Sequence, residues 1–364
     1  MLYKTYGQTG KKISAVSFGG MRFPNGQDLD DSAAIILHGY RQGINYFDTA
    51  PLYCDDKSEE IFGLALKEMT PGTYYVSTKS SHSDGDSLRA QLENSLRRLG
   101  VEKIDFFHIW CIVRPEHWAQ RKAGGAVAAA QKARDEGLIE HLVFSSHMTG
   151  NQISEVIDEG IFEGVTLGYC AVNFPYRQAA LAAAEKAEIG VVTMNPLGGG
   201  VIPANPERFD FIRAADYPNV VAAALRFNIS HPAITSALVG FSSIDHVDQA
   251  VAAVGDDFKA YDGDHIAAMK THIEESFDGL CTGCGYCLPC PQEIPIPQYM
   301  DAYNQKMLAG GDNALLGRLK YHWNLPAGEA GKCVECGACE AACTQQLPIT
   351  ERLAHIAALA DEKQ

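Results

Sequence analysis

Short apolar runs rich in Val, Ile, Phe and Tyr recur along the first two thirds of the chain: AVSFGG, YFDTA, YYVSTK, IDFFHIW, HLVFSS, GVTLGYC, VVTMNPL and ITSALVG. Between and after them lie segments whose apolar residues return every three or four positions, among them AAIILHGYRQG, SEEIFGLALKEM, SLRAQLENSLRRLG, QISEVIDEG and VVAAALRFNIS. The first kind reads as strands buried on both faces and the second as amphipathic helices. Eight strand candidates, each followed by a helix candidate, within roughly 250 residues predict an α/β fold of the (β/α)8 barrel type. An open doubly wound sheet would carry a Gly-x-Gly-x-x-Gly turn after its first strand, and none stands there. The opening LYKTYGQTGKKIS has a turn signal from Gly7 to Gly10 and reads as a hairpin ahead of the barrel.

The alternation stops near residue 262, where cysteine pairs, PQEIPIP and two short helical patterns (PQYMDAYNQKML and TERLAHIAALA) take over. This predicts a barrel over residues 1–262 and a mainly helical domain over residues 263–364. Charge and hydropathy narrow the partners. A net charge of −15 opposes nucleic acid and anionic lipid, no run of about 18 apolar residues offers a membrane span, and the start lacks a signal peptide's apolar segment. A cytoplasmic protein is expected. Eight of the eleven cysteines crowd the second domain, in CTGCGYCLPCP (Cys281, Cys284, Cys287, Cys290) and CVECGACEAAC (Cys333, Cys336, Cys339, Cys343). Disulfides belong to small secreted domains, and zinc sites are built from C-x-x-C pairs rather than from three evenly spaced thiolates. Two C-x-x-C-x-x-C runs, each with a fourth cysteine, predict two [4Fe–4S] clusters. The module resembles two-cluster ferredoxins, and the resemblance implies crossed ligation: Cys281, Cys284, Cys287 and Cys343 on one cluster, Cys333, Cys336, Cys339 and Cys290 on the other. Two details depart from the ferredoxin pattern: two residues, not three, precede Cys290, and Thr344 follows Cys343 where proline is usual.

Barrels of this kind place chemistry at the carboxyl ends of their strands. Asp48 ends strand two, Tyr53 follows in its loop, Lys79 ends strand three, Trp110 ends strand four with His108 one layer deeper, and Ser145 and Ser146 end strand five. GINYFDTAPLYCDDKSEE, YYVSTK and SLRRLGVEKIDFF resemble the aldo-keto reductases over roughly residues 2–254, with the cysteine module as an added carboxyl-terminal domain. That family moves a hydride between NAD(P)H and a carbonyl, using Asp, Tyr, Lys and His. Asp48, Tyr53 and Lys79 match three of the four. A phenol donates the proton that a developing alkoxide needs, and a nearby ammonium is expected to lower its pKa. The family's histidine stands five residues after the strand-four aspartate; here that position is Trp110, and His108 lies two residues earlier, about 6–7 Å deeper on the same face. An indole donates a hydrogen bond but exchanges no proton at neutral pH, so reduction of an activated C=C bond joins carbonyl reduction as an expectation. His117 and His147 are alternative proton carriers.

The same resemblance implies cofactor contacts. FSSH offers Ser145 and Ser146 to the nicotinamide carboxamide, while Tyr169 and Met194 stand where a glutamine and a stacking tyrosine are common. NPLGGG, with Gly198 and Gly199, would let backbone approach a pyrophosphate, and VGFSSIDHVDQA resembles the adenosine-phosphate segment, with Gly240 and Ser242. Ser243 stands where users of NADP carry a cation, which leaves NAD and NADP both open. The expected function is an oxidoreductase acting on a small carbonyl or enone, its clusters serving structure or a redox partner protein. The competing class is a non-enzymatic module that senses nucleotide and docks such a partner.

Overall fold

The computed structural model describes residues 1–24, 28–214, 217–255, 258–276, 279–309 and 311–361. Strands β1 (Tyr3–Thr5) and β2 (Lys12–Ser14) pair antiparallel as the expected hairpin. Eight parallel strands follow: β3 (Val16–Gly19), β4 (Tyr46–Asp48), β5 (Tyr75–Ser80), β6 (Ile104–Ile112), β7 (Ile139–Ser146), β8 (Gly164–Gly168), β9 (Gly190–Met194) and β10 (Ser236–Gly240). They close into a barrel in which β10 returns to β3. All eight predicted runs are strands of this barrel, and helices connect them.

The helices end where local chemistry ends them. In Gly85–Leu99, Asp84 caps the first turn by accepting from the Ser87 N–H, and Gly100 closes the last turn in the left-handed conformation. Leu88, Leu92 and Leu99 form its buried stripe. The hairpin turn sends Tyr6 into the foot of the barrel, where it packs with Ile13, Tyr46, Phe106, Val143 and Val192. Its ring needs glycine opposite it: a Cβ on Gly164 or Gly190 would lie 2.0 or 2.2 Å from Tyr6 atoms.

Register then fixes what stands above that layer. Asp48 pairs with Ser77, Lys79 with His108, and His108 with Val143. Because side chains alternate, Phe106, His108 and Trp110 rise along β6 on one face. The strand is irregular between Ile109 and Ile112, and Cys111 adopts a positive φ of 61° there. The residues that end β4, β5 and β6 are thereby gathered at the barrel's carboxyl face.

By contacts the chain divides into two compact units, Met1–Leu197 with Ile212–Gly263, and Gly198–Phe211 with Asp264–Gln364. The second unit is mainly helical, with Gly263–Ser276, Ile296–Ala309, Asp312–Arg318 and Ile349–Asp361 as its α-helices of seven residues or more. Its core gathers Ile294, Tyr299, Met300, Leu315, Leu353 and Ile356 with Cys339, and Cys281, Cys287, Cys290, Cys333 and Cys343 pack against it. The segment 198–211 follows β9 in sequence yet clusters with the helical unit.

Candidate active site and cysteine cavities

Asp48 and Lys79 form a buried ion pair at the ends of β4 and β5. The lysine Nζ donates to both carboxylate oxygens, at 2.6 and 2.7 Å, and Ser77 Oγ donates to Oδ2 at 2.7 Å. The ammonium lies 5.6 Å from the centre of the Tyr53 ring. Tyr53 is carried by a turn in which Leu52, Cys54, Asp55 and Asp56 all have positive φ, between 53° and 69°. A left-handed run of non-glycine residues is costly and persists only where surrounding bonds hold it. Here Asp56 Oδ1 accepts from the Leu52 N–H at 3.1 Å and from Arg98 Nη1 at 2.7 Å.

The strand-four question has a geometric answer. Trp110 meets Tyr53 edge to face, with ring centres 5.6 Å apart and planes at 86°. His108 is fully buried, its Nδ1 3.2 Å from Ser77 Oγ and its Nε2 2.9 Å from Thr166 Oγ1. Burial, then the Lys79 charge, push its pKa well below the ordinary imidazole value. It stays neutral, linked to Asp48 through Ser77. His147 is also buried, and burial with the Arg177 charge pushes its pKa down to about 3. His117 is pushed down as well, chiefly by burial. None of the three histidines is poised as a charged acid at neutral pH.

One sequence expectation is reversed. The Tyr53 phenol is raised well above its ordinary pKa, first by burial and then by the negative charge of Asp48, with Cys111 and Cys54 adding to the effect. Lys79 does not draw it down, because two short bonds to Asp48 neutralise the ammonium where it stands. The phenol therefore holds its proton at neutral pH, the form a proton donor requires.

Other predicted residues are scattered. Ser145 Oγ accepts from the Cys111 N–H at 3.1 Å, whereas buried Ser146 donates to the Ile112 carbonyl and accepts from the Met148 N–H. Met194 is half-buried at the end of β9, and Tyr169 turns into the core, parallel to Phe227 at 5.5 Å. Gly240 ends β10 beneath Arg22: a Cβ there would lie 2.5 Å from Arg22 Cγ. Ser242 Oγ lies 3.1 Å from His246 Nδ1, and Ser243 caps the helix Ile244–Ala253. Sequence reading missed Arg22, which comes from the loop after β3 and carries no local signal of its proximity to Gly240. Gly198 and Gly199 cluster with the cysteine unit, where a Cβ on Gly199 would stand 2.3 Å from the Thr282 carbonyl oxygen.

That unit holds two cysteine-lined cavities. The first is lined by Cys281, Cys284, Cys287 and Cys343; the second by Cys290, Cys333, Cys336 and Cys339, and Cys287 lines it as well. None of the eight is in a disulfide. Among the described residues no three His, Cys, Asp or Glu side chains converge closely enough to hold one metal ion. Thiolates around a single zinc would stand about 3.8 Å apart, from tetrahedral bonds of about 2.3 Å, so the donor set fits a larger group seated between the sulfurs. Backbone N–H groups already point at them, from Gly283 to Cys281, Leu347 to Cys343 and Glu335 to Cys333, each at 3.4 Å. Thr282 Oγ1, buried beside the first cavity, finds no hydrogen-bond partner among the described residues.

Comparison with known proteins agrees with both halves. The sequence model of the aldo/keto reductase family matches residues 15–274, and that of a 4Fe-4S dicluster domain matches residues 280–348. L-galactose dehydrogenase of Arabidopsis thaliana is 28% identical over 284 residues, spanning 69% of this chain and 87% of the plant enzyme. Pyridoxal 4-dehydrogenase of Microbacterium luteolum is 23% identical over 319 residues, 68% of this chain and 91% of that enzyme. In fold, an aldo-keto reductase from Bacillus halodurans superposes with a TM-score of 0.64 at 21% identity, covering 74% of this chain and 96% of the other.

Proposed function

This chain belongs to the aldo/keto reductase family and carries a 4Fe-4S dicluster domain, and we propose that its barrel reduces a small carbonyl or activated C=C compound with NADPH or NADH. The observation that carries the proposal is the Tyr53 ring, its centre 5.6 Å from the ammonium of the buried Lys79–Asp48 pair. A reduced nicotinamide, when bound, supplies the hydride. Tyr53 donates the proton to the substrate atom on which negative charge develops, and the Lys79–Asp48 pair fixes the polar wall beside its ring. Asp48, held by Ser77, fixes the ammonium. Trp110 walls the side of Tyr53 and excludes water, donating at most a hydrogen bond. Ser145 and Met194 are the nicotinamide contacts that the geometry leaves usable. Arg22, lying over Gly240, offers the cation that Ser243 does not, which supports NADP. The relatives' names, dehydrogenases of L-galactose and of pyridoxal, support a small hydroxyl or carbonyl compound as substrate.

In the second unit, Cys281, Cys284, Cys287 and Cys343 would hold one [4Fe–4S] cluster and Cys333, Cys336, Cys339 and Cys290 the other. The lining of each cavity supports this crossed assignment. Bound clusters would supply one-electron transfer, and the exposure of Cys336 supports exchange between the second cluster and a redox partner protein.

The test is anaerobic stopped-flow measurement of NADPH and NADH oxidation against carbonyls and enones. Turnover should fall at least 10²-fold in Tyr53→Phe with nucleotide affinity kept. Tight nucleotide binding with no turnover on any acceptor would return the non-enzymatic sensing module as the better reading.

A further inference from the structure

We propose that the hydroxyls of Thr282 and Thr344 donate hydrogen bonds to sulfur of the cluster in the first cavity and set its reduction potential above that of the second cluster. The inference rests on the cluster assignment given above. Thr344 stands where the ferredoxin pattern has proline, and its Oγ1 lies 3.4 Å from Cys284 Sγ. The direction of that bond follows from the chemistry. An iron-bound Cys284 is a thiolate with no proton to give, so the hydroxyl is the donor. Gln345 Nε2 donates to the same Thr344 oxygen at 3.1 Å. Such chained bonds strengthen one another. Thr344 is only 4% exposed, so water competes weakly for its proton.

Thr282 adds an independent observation. The residue is 7% exposed and lines the first cavity, and its buried hydroxyl has no partner among the described residues. An unmet buried hydroxyl costs about 1–3 kcal/mol, a penalty that a sulfur acceptor in the cavity would remove. The second cavity lacks this arrangement. Its threonine, Thr350, directs Oγ1 at 2.6 Å and its backbone N–H at 2.8 Å to Glu340 Oε1, so that hydroxyl is spent on a carboxylate.

Reduction adds negative charge that spreads over the cluster sulfurs. Donors aimed at those sulfurs stabilise the reduced form more than the oxidised form and raise the potential, while nearby carboxylate charge lowers it. The first cluster has the donors, whereas the threonine hydroxyl lining the second cavity is spent on Glu340. An electron entering through the second cluster would thus come to rest on the first.

The experiment is a redox titration followed by low-temperature EPR on the full-length protein, with iron counted in each sample. Wild type should bind about eight irons and titrate with two separate midpoints. In Thr344→Val the higher midpoint should shift negative while the lower one stays, and Thr344→Ser should restore it. Thr282→Val should move the same midpoint in the same direction, which keeps the test open if the Thr344→Val protein fails to load. Unmoved midpoints at full iron content, a shift of the lower midpoint, or equal shifts of both would overturn the inference while leaving the cluster assignment intact. Fewer than eight irons in wild type would instead strike at the assignment itself.

Discussion

Replacing Asp48 by Asn isolates the buried ion pair on which the candidate active site is built. Lys79 Nζ sits 2.6 and 2.7 Å from the two carboxylate oxygens, with both side chains about 5% exposed or less. At an effective dielectric near 20, a pair at this distance attracts by about 6 kcal/mol, much of it offset by the desolvation of both ions. Asparagine keeps the shape and an acceptor for Ser77 but strands the ammonium among buried neighbours. Stranding one member of such a pair costs about 3–5 kcal/mol. For a barrel of about 250 residues, each kcal/mol lowers the melting temperature by roughly 2–4 °C, so Asp48→Asn should lower it by roughly 6–20 °C. The assay is thermal unfolding followed by far-ultraviolet circular dichroism on anaerobically prepared protein. Adding Lys79→Met removes the stranded charge, and the double variant should recover about 2–3 kcal/mol relative to the sum of the single effects. A single-variant loss below about 1 kcal/mol, or strict additivity, would refute the view that the two residues are a coupled, dehydrated pair.

Other perturbations test other parts of the argument. Trp110→His should raise carbonyl reduction if the indole merely occupies the proton carrier's place against Tyr53; unchanged or lower turnover would give Trp110 its own role with substrate. Gly199→Ala forces a Cβ to within 2.3 Å of the Thr282 carbonyl at a φ of 69°, so iron content should fall from about eight toward four per chain; full loading with an unchanged EPR spectrum would contradict the close approach. His147 has a folded pKa of about 3 against 6.5 in the unfolded chain. Below about pH 6.5 the unfolded state therefore binds one more proton, and stability falls with pH by up to about 1.4 kcal/mol per unit until about pH 3. His147→Gln should flatten the stability profile over that window, and an identical slope in denaturant titrations would discount the buried neutral imidazole.

Much of this molecule is written locally. Strand runs such as IDFFHIW and HLVFSS, helix caps such as Asp84 and Gly100, and the triple thiolates of CTGCGYC and CVECGAC depend on neighbours within a few residues. Periodicity and spacing report such features directly, which is why the barrel, the helical cysteine domain and the ends of β4 and β5 could be read before any coordinate.

What spans long separations could not. That Trp110 rather than His108 meets Tyr53 was legible as register along β6, but the contact itself required the turn after β4 to fold back over Lys79. The raised pKa of Tyr53 comes from its burial and from the Asp48 charge, which only the folded chain brings together. Arg22 over Gly240, Gly199 against Thr282, and Cys343 and Cys290 each among the other run's cysteines are meetings of distant segments. The sequence by itself determined the elements and the donor chemistry, because these follow from short-range sterics and side-chain type. Tertiary structure alone decided which donors share a cavity and which charges cancel, because proximity and dehydration exist only once the chain has closed on itself.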